Sequence, residues 1–529
     1  MVVSEVPLKA KSPVMPTRRD DRRIAVTLWL IAILYLLVID RKGIWTDEGY
    51  RYLLFAGGQT WGEFSRSHSF GPWSAVLKAV GHTPYQPLFY IIANTIIRVA
   101  GSFSAVMLRA INILWLLCGA LGLVRFFRTY SMRTRVFAVV IYALNGYMMM
   151  HVMEIREYPM TLAFMIWSGC LCFELLELPA SAPWWEWWSR LIAYGFVVAL
   201  LFYSHPYGAF PLAAQVVMVL TRMKDKGLFL TRMACAYILA AILAAPWLLW
   251  LHRNFPHRYT NYGVFGSDKP TLALLISRLA DGFRKLLVYD NWTGHPLMQA
   301  FVGCLIIGVV GAWIGVWRMH KSLDRRAVYG ALTMLFYGCF QVRYFFQQDF
   351  FTWPRYFFAY YMGYTILATC AFGFLELLSD ETKKFYWRAL AAGIFVFVCI
   401  SGLTQVYGYW KWPFMDTDLC NWRAVSRVMA RHIRPDETIV YDCNRSAWTL
   451  GVINPNYPKE IDFPEILSGP PLHFPRLWVL DTSAAGWNVK AIVQRLESWN
   501  YQRAESIDIG CNDKLLRFDA QPASPHLLP

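Results

Sequence analysis

The stretch IAVTLWLIAILYLLVIDRKGIWTDEGY, residues 24–50, joins a long apolar run to a group of acidic residues. Apolar runs of about 20 residues span a bilayer as helices, and the run at 24–39 is followed directly by Asp40, Asp47 and Glu48. Carboxylates are costly inside lipid, so these side chains are expected at a membrane boundary or in a polar cavity. The stretch therefore predicts a membrane helix with an acidic pair, Asp47 and Glu48, close to its exit.

The composition extends this reading to the whole chain. Of the 529 residues, 56% are hydrophobic and only 16% are charged. Apolar runs of membrane-spanning length recur along the sequence, which predicts a polytopic α-helical membrane protein. The net charge is +16, but the bases cluster between the apolar runs, as topology signals do. We therefore expect membrane lipids, and no nucleic acid, among the partners.

The loops between the apolar runs alternate in charge, and this alternation predicts the topology. About eleven spans are expected, at 24–39, 104–124, 134–151, 158–176, 190–204, 207–221, 233–251, 297–317, 327–346, 355–378 and 388–408. The basic tail 1–23 and the Lys/Arg-rich loops 125–135, 221–232, 318–326 and 380–388 fall on one side. By the positive-inside rule that side is the cytoplasm.

One further apolar segment, PYQPLFYIIANTIIRVAG at 84–101, resembles a twelfth span. Counting it as a span would place the basic loops outside, so we interpret it as a juxtamembrane helix on the outer surface. The first outer loop is then 40–103 and a second large outer loop is 252–296. Together with the spans they form a transmembrane module at 24–410.

The last part of the chain, 411–529, changes character and alternates between helical and strand patterns. Helices are predicted at 418–433 and 489–498, buried strands at 438–442 and 476–481, and an edge strand at 514–519. This alternation predicts a small extracytoplasmic α/β domain. A Cys443–Cys511 disulfide and two free thiols both remain open readings of this region.

The predicted outer side collects arginine, histidine and tyrosine side chains beside the acidic pair. An arginine binds phosphate through a forked, permanently charged donor set, and a carboxylate suits general-base work on a hydroxyl. Phosphate, hydroxyl and long apolar surface together fit a lipid-linked sugar donor and its acceptor. The candidate substrate-contacting residues are His82, Tyr85, Arg156, Tyr158, His205, Arg253, Arg258, Arg343, Arg355 and Tyr356.

Four motifs carry a resemblance to a known superfamily. They are the acidic pair, the Pro-rich turn TPYQPLFY at 83–90, the span entry IREYPMTLAF at 155–164 and the segment PRYFFAYY at 354–361. With the helix NWRAVSRVM at 421–429, they resemble the GT-C glycosyltransferases, in the bacterial branch of the protein mannosyltransferase and aminoarabinose (lipid A) transferase group. The chain departs from that pattern at the turn, where Gln86 stands in place of a common proline and His82 is displaced.

The resemblance implies an inverting sugar transfer from a polyprenyl-phosphate lipid, on the periplasmic face of a bacterial inner membrane. The acceptor would be a hydroxyl of lipid A or lipopolysaccharide, a cell-wall glycan or a protein. Asp47 would deprotonate that hydroxyl and Glu48 would assist. Arg355 would hold the leaving phosphate, while Arg156 would line the same cavity. Arg343, Tyr158 and Tyr356 are the further cavity candidates.

Other readings of the same residues stay open. An acidic pair at a helix N-terminus is favoured by the helix dipole alone, arginines at span ends often snorkel, and His205 can cap a turn. The alternative functions are a transporter or flippase for a lipid-linked or anionic substrate, and a glycan ligase with a diphosphate-lipid donor. No Cys/His spacing indicates zinc. The sequence identifies no cofactor, and a divalent metal at the acidic pair stays open.

Overall fold

The computed structural model describes residues 18–40, 46–59, 64, 67, 69–83, 85–101, 104–221, 226–255, 271–287, 324–345, 357–382, 385–411, 422–434, 437–441, 459–462, 466–467, 470–471, 474–481, 489–510 and 513–521. The segment 297–317, Arg258, Arg355, Tyr356, Cys443 and Cys511 lie outside these residues, as does part of the large outer loop.

The described helices follow the apolar runs of the sequence. They are α1 (Arg18–Val38), α2 (Thr46–Phe55), α3 (Trp73–Gly81), α4 (Pro87–Ala100), α5 (Ala105–Phe126), α6 (Met132–Ala143), α7 (Gly146–Met153), α8 (Tyr158–Glu177), α9 (Trp184–Ser204), α10 (Ala209–Leu220), α11 (Lys226–Asn254), α12 (Leu272–Leu287), α13 (Arg325–Phe345), α14 (Phe358–Thr382), α15 (Phe385–Lys411), α16 (Trp422–His432) and α17 (Val489–Ser498).

Among the described residues, six helices are long and apolar enough to cross a membrane: α5, α8, α9, α11, α14 and α15. A seventh span results if α6 and α7, which meet at a bend of 54°, are taken together. The predicted spans 24–39, 207–221 and 327–346 form helices that are shorter or more polar than these. The chain is an integral membrane protein, while the count of about eleven spans stays a prediction.

The described residues fall into two units. One is drawn from Met1–Ile39, Thr83–Phe89 and Val106–Lys411, and the other from Asp40–His82, Tyr90–Ala105 and Trp412–Pro529. The domain limits and the membrane orientation expected from the sequence stay predictions.

Helix α8 lies at the centre of the first unit. Its most apolar stretch is 94% buried, and it packs against α9, α10 and α14. Helix α5 approaches it closely at Gly122, where a Cβ atom would lie 2.9 Å from Ile166. Small residues permit such close helix contacts in membranes. Trp167 on α8 also donates from its indole nitrogen to the Cys118 carbonyl of α5 at 2.9 Å. The helix is therefore enclosed by protein on all sides.

The C-terminal end of α8 carries an ionic network. Glu174 accepts from Arg125 Nε at 2.5 Å and from Arg128 at 3.2 Å. Glu177 accepts from Arg128 at 3.2 Å and from Arg326 at 2.5 Å. Arg326 is buried, and its guanidinium lies against aromatic rings as well as the carboxylate. Each of the two carboxylates at this end of α8 is thus paired with arginine side chains.

Replacing the buried Arg326 by methionine is expected to destabilise the membrane bundle, because the partly exposed Glu177 loses its shortest partner. The loss should be about 1–3 kcal/mol, since Glu177 keeps Arg128 and some solvent contact. Thermal unfolding in detergent measures it, with Arg325→Met on the preceding residue as the matched control. Equal unfolding temperatures for the two variants would show that the network does not stabilise the bundle.

The second unit holds α2 by contacts from α4 and from the loop before α3. Asn94 donates from its side-chain nitrogen to the Phe55 carbonyl at 2.7 Å and to the Gly71 carbonyl at 3.2 Å. Arg51 is buried and donates to the Tyr90 hydroxyl. These bonds fix the last turns of α2, the helix whose first turn contains Asp47 and Glu48.

The C-terminal part of this unit contains a five-stranded sheet. Its strands are β1 (Thr438–Tyr441), β2 (Lys459–Asp462), β3 (Arg476–Asp481), β4 (Tyr501–Gly510) and β5 (Asp513–Ala520), in the order β2-β1-β3-β5-β4. Strand β1 is parallel to β2 and β3, whereas β5 is antiparallel to β3 and β4. Helix α17 covers one face, where Ile492 and Leu496 meet Leu477, Val479 and Phe518.

Three of these strands lie where the sequence predicts them, but one prediction is wrong. Residues 514–519 do not form an edge strand, because β5 is paired on both sides, with β3 and with β4. Strands β2 and β4 were not predicted. Their polar sequences, KEID and YQRAESIDIG, lack the apolar run of a buried strand.

Glu437 ties the start of β1 to β3. It accepts from the Arg434 backbone at 3.0 Å, from Trp478 Nε1 at 2.7 Å and from Arg476 at 2.7 Å. Burial alone would raise the pKa of Glu437, but these hydrogen bonds outweigh it and hold the pKa below its ordinary value of 4.5. The ionised carboxylate is therefore part of the folded sheet.

Because the pKa of Glu437 is lowered on folding, its stabilisation is present above pH 4.5 and is lost as the pH falls through the folded-state pKa. Glu437→Gln should remove this contribution already at pH 7. Hydrogen-exchange protection of β1 and β3 in the full chain should then be lower, and should change less between pH 7 and acid. Glu497→Gln, at an exposed site on α17, is the control; unchanged protection in Glu437→Gln would contradict the assignment.

Candidate functional site

A break between α7 and α8 creates the main polar cluster of the first unit. Asn145 caps α7, accepting from the Tyr147 backbone nitrogen at 2.8 Å. Glu154 ends that helix in extended conformation, and Pro159 lies in the first turn of α8. Proline fits there because the first backbone nitrogens of a helix have no partner within it. Residues 154–157 are thus a buried connector between two helices.

Glu154 is the centre of the cluster. Its Oε2 atom lies 3.3 Å from Arg156 Nε and 3.6 Å from His151 Nδ1. The Asn112 side chain on α5 donates to the Glu154 backbone carbonyl at 2.5 Å and so fixes the connector. All four side chains are buried. A buried carboxylate that contacts an arginine and a histidine can take part in proton transfer with a bound molecule.

Arg156 and Tyr158 form the second part of the cluster. Arg156 donates to the Tyr158 hydroxyl at 3.3 Å, and its guanidinium carbon lies 5.7 Å from the centre of that ring. The Tyr158 ring lies 4.6 Å from His151 and 6.0 Å from His205, measured between ring centres. The structure therefore brings together three residues singled out from sequence, Arg156, Tyr158 and His205.

His205 follows α9 at the turn into the next helix. Its Nδ1 atom accepts from the Tyr207 backbone nitrogen at 3.2 Å, so the ring caps the turn through one nitrogen. The proton of the neutral ring is then on Nε2. Phe358 and Tyr207 pack against the ring, with ring centres 4.8 and 4.7 Å away. The capping role expected as an alternative is present, and it orients the ring.

Glu157 is the residue least explained by the fold. It is 1% exposed, and within the part of the chain that the structure describes neither carboxylate oxygen has a hydrogen-bond partner. Buried polar groups are nearly always satisfied, since an unpaired one costs several kcal/mol. Glu157 is therefore a buried carboxyl group for which the described residues supply no hydrogen-bond partner.

The remaining predicted site residues lie on other helices and turns, or have side chains outside the described residues. Arg253 and Arg343 are exposed in the last turns of α11 and α13. His82 is exposed directly after α3, and Tyr85 is half-buried with its backbone nitrogen donating to Thr83 Oγ1 at 3.2 Å. Asp47 and Glu48 lie in the first turn of α2, and their side chains lie outside the described part. The roles predicted for all of these residues stay predictions.

Sequence reasoning missed His151 and Arg51. His151 lies in the apolar run MMMHVM and resembles a histidine in a helix interior. Its spacing of three residues from Glu154 was the available signal, since residues three apart share a helix face. Arg51 lies four residues after Asp47, and residues four apart also share a helix face. Among the described residues, no three His, Cys, Asp or Glu side chains lie close enough to hold a metal ion.

The described helices and this buried charged cluster define a polytopic membrane protein with a polar site at a helix break. No protein-family model matches the chain, and no curated protein sequence matches it. Solved structures are similar over nearly the whole chain. The likeness is one of fold, and it agrees with the GT-C fold expected from the sequence motifs.

The similar structures include ArnT from Cupriavidus metallidurans bound to undecaprenyl phosphate. It has a TM-score of 0.55 and 12% identity, covering 95% of this chain and 99% of that one. The apo state of the same protein gives a TM-score of 0.52 at 12% identity, with 96% and 100% covered. An Archaeoglobus fulgidus oligosaccharyltransferase tethered to an acceptor peptide gives 0.48 at 12% identity, covering 91% of this chain and 69% of that one.

A double-mutant cycle tests whether Glu154 and Arg156 depend on each other. Arg156→Met should destabilise the protein by about 3–5 kcal/mol, because it leaves the Glu154 carboxylate buried without its arginine. Adding Glu154→Gln removes that charge, so the double variant should be more stable than Arg156→Met alone. Unfolding in detergent is the measurement. Strictly additive effects would show that the two side chains do not form a stabilising pair.

Proposed function

We propose that the protein is an inverting glycosyltransferase that moves a sugar from a polyprenyl-phosphate lipid to an acceptor hydroxyl on the extracytoplasmic face. The observation that carries the proposal is the buried Glu154–Arg156–His151 cluster within a bundle of membrane-spanning helices. Ionisable residues inside such bundles are costly and mark functional sites. The similar ArnT structure holds undecaprenyl phosphate, which supports a lipid-phosphate donor here.

In the proposed reaction, Asp47 accepts the proton of the acceptor hydroxyl. The acceptor oxygen forms a bond to the anomeric carbon from the face opposite the phosphate. The bond between that carbon and the phosphate oxygen breaks, and its electron pair leaves with the lipid phosphate. Because attack and departure occur on opposite faces, the configuration at the anomeric carbon is inverted. Glu48 assists the base, and Arg355 binds the leaving phosphate through its forked donors.

Arg156 of the buried cluster is proposed to line the donor-binding cavity. Arg156 is held between Glu154 and the Tyr158 hydroxyl, so its position is fixed before a ligand arrives. A preorganised cation in a low-dielectric site stabilises developing negative charge without first having to move. Tyr356 and Arg343 are the further proposed cavity residues. His82, Tyr85, His205, Arg253 and Arg258 are the proposed substrate contacts.

Several classes of acceptor hydroxyl are compatible with this reaction. A hydroxyl of lipid A or lipopolysaccharide, of a cell-wall glycan or of a protein fits the chemistry equally, and a bacterial inner membrane with the site facing the periplasm is the proposed location. A glycan ligase with a diphosphate donor would share the mechanism and differ only in the lipid group that leaves.

A transporter for a lipid-linked or anionic substrate is the second candidate, and one observation favours it. Helices α6 and α7 meet at a bend of 54°, and α7 leads from that bend to the buried ionisable cluster. Broken helices that bring charged groups to a binding site are typical of transporters. Such a protein would bind the lipid-linked sugar and catalyse no transfer.

Replacing Asp47 by asparagine should lower sugar transfer by about a hundredfold or more, because the acceptor hydroxyl loses its base. Donor binding should persist, since the phosphate contacts are unchanged. Purified protein is tested with a panel of synthetic polyprenyl-phosphate sugars and a lipid extract as acceptor. Asp40→Asn, a carboxylate nearby in sequence, is the matched control and should keep wild-type activity.

The outcomes separate the two candidate functions. Transfer lost only in Asp47→Asn supports the base assignment and identifies the sugar. Full activity in that variant removes Asp47 from the chemistry. Donor binding by the wild type with transfer to no acceptor favours the transporter.

A further inference from the structure

The C-terminal part of the chain contains a cavity that the proposed function does not use. It has a volume of about 470 Å³ and opens between the C-terminal end of α16 and the sheet. Arg431, His432 and Arg434 line it from the end of α16 and the residues after it, and Arg476, Glu505 and Arg517 line it from the strands. Four arginines thus face one cavity whose only lining carboxylate, among the described residues, is that of Glu505.

Two of these arginines are already neutralised. Arg517 forms an ion pair with Glu505 at 2.6 Å and approaches Asp519 at 3.5 Å. Arg476 pairs with Glu437 at 2.7 Å and with Asp519 at 2.9 Å. Hydrogen bonds to Asp519 and to Glu437 raise the pKa of Arg476 above its ordinary value. The strands therefore supply a cavity floor whose charges are fixed and nearly balanced.

Arg431 and Arg434 supply the excess positive charge. Both are exposed, and no ion pair joins either of them to a residue within the described ranges. Against four arginines there are three nearby carboxylates, those of Glu437, Glu505 and Asp519. The surplus charge lies at the rim, where a ligand would enter, and His432 lies between the two arginines.

The rim is held in place by the same carboxylate that orders β1. Glu437 accepts from the Arg434 backbone nitrogen at 3.0 Å and from Arg476 at 2.7 Å. A rim arginine and a floor arginine are therefore connected through one buried group. A binding site whose donors are positioned in advance loses less entropy when the ligand binds.

We propose that this cavity binds an anionic saccharide, a sugar that carries a phosphate or a carboxylate group. Forked guanidinium donors are suited to both anions. A volume of about 470 Å³ lies within the range of about 300–1,000 Å³ found for small-molecule sites, and exceeds what a bare anion needs. The polar floor formed by Glu505, Arg476 and Arg517 offers further hydrogen bonds to sugar hydroxyls. The assignment rests on the cavity alone and is independent of the proposed sugar transfer.

Equilibrium binding to the full chain in phosphatidylcholine nanodiscs tests the proposal. The probes are glucose 6-phosphate, glucuronate and neutral glucose, with short-chain dihexanoyl phosphatidylglycerol as a lipid-headgroup probe. At least one anionic sugar should bind saturably to the wild type, and glucose should bind far more weakly. The double variant Arg431→Gln, Arg434→Gln should weaken that binding by about tenfold or more, since two charged donors are lost.

Arg503→Gln, which removes an exposed arginine on β4 away from the cavity lining, is the matched control and should bind like the wild type. Hydrogen exchange of β1 and β3 checks that the double variant keeps the sheet. Equal binding by the double variant and the wild type would overturn the proposal. So would glucose binding as tightly as glucose 6-phosphate, or saturable binding of the phosphatidylglycerol probe alone.

Discussion

The burial of α8 is the constraint on which the membrane bundle depends. This 20-residue helix is apolar on every face between its ends and is enclosed by other helices. At about 1.5 Å per residue it is about 30 Å long, close to the thickness of the hydrocarbon layer. Ionisable groups are therefore confined to its ends, where Glu157 precedes it and Glu174 and Glu177 end it. Two polar clusters result, one at each end of a single buried helix.

The two clusters differ in how completely their charges are matched, and this difference separates structure from function. Glu174 and Glu177 each contact at least two arginines, so the carboxylates at that end are paired with positive charge. At the other end Arg156 contacts Glu154, and Glu157 has no hydrogen-bond partner among the described residues. A satisfied network rigidifies a fold, whereas an incomplete one leaves capacity for a ligand. The start of α8 is for that reason the better candidate site.

The sequence motifs predict the GT-C fold by resemblance, and the apolar runs predict the positions of the long helices. Charge alternation places Arg156, Tyr158 and His205 on one predicted side of the membrane, and the structure brings these three side chains together. The sequence does not predict the α6–α7 break, although Asn145 and Gly146 form a turn signal there. The sequence also does not predict which strands of the C-terminal sheet pair with each other. Strand order depends on contacts distant in sequence, so the local pattern of 514–519 could not show that β4 covers its outer side.

The position of Asp47 in the first turn of α2 affects how well it can accept a proton. Acidic residues in the first turn of a helix are stabilised as carboxylates by the helix dipole, which weakens them as proton acceptors. Asp47 and Glu48 occupy such a turn of α2, and α2 is held by the Arg51–Tyr90 and Asn94–Phe55 contacts rather than by its ten residues alone. If Asp47 is the base, its strength must come from the bound substrates. A lipid donor that excludes water lowers the local dielectric and raises the proton affinity of an adjacent carboxylate. General-base work would then begin only after the donor is bound.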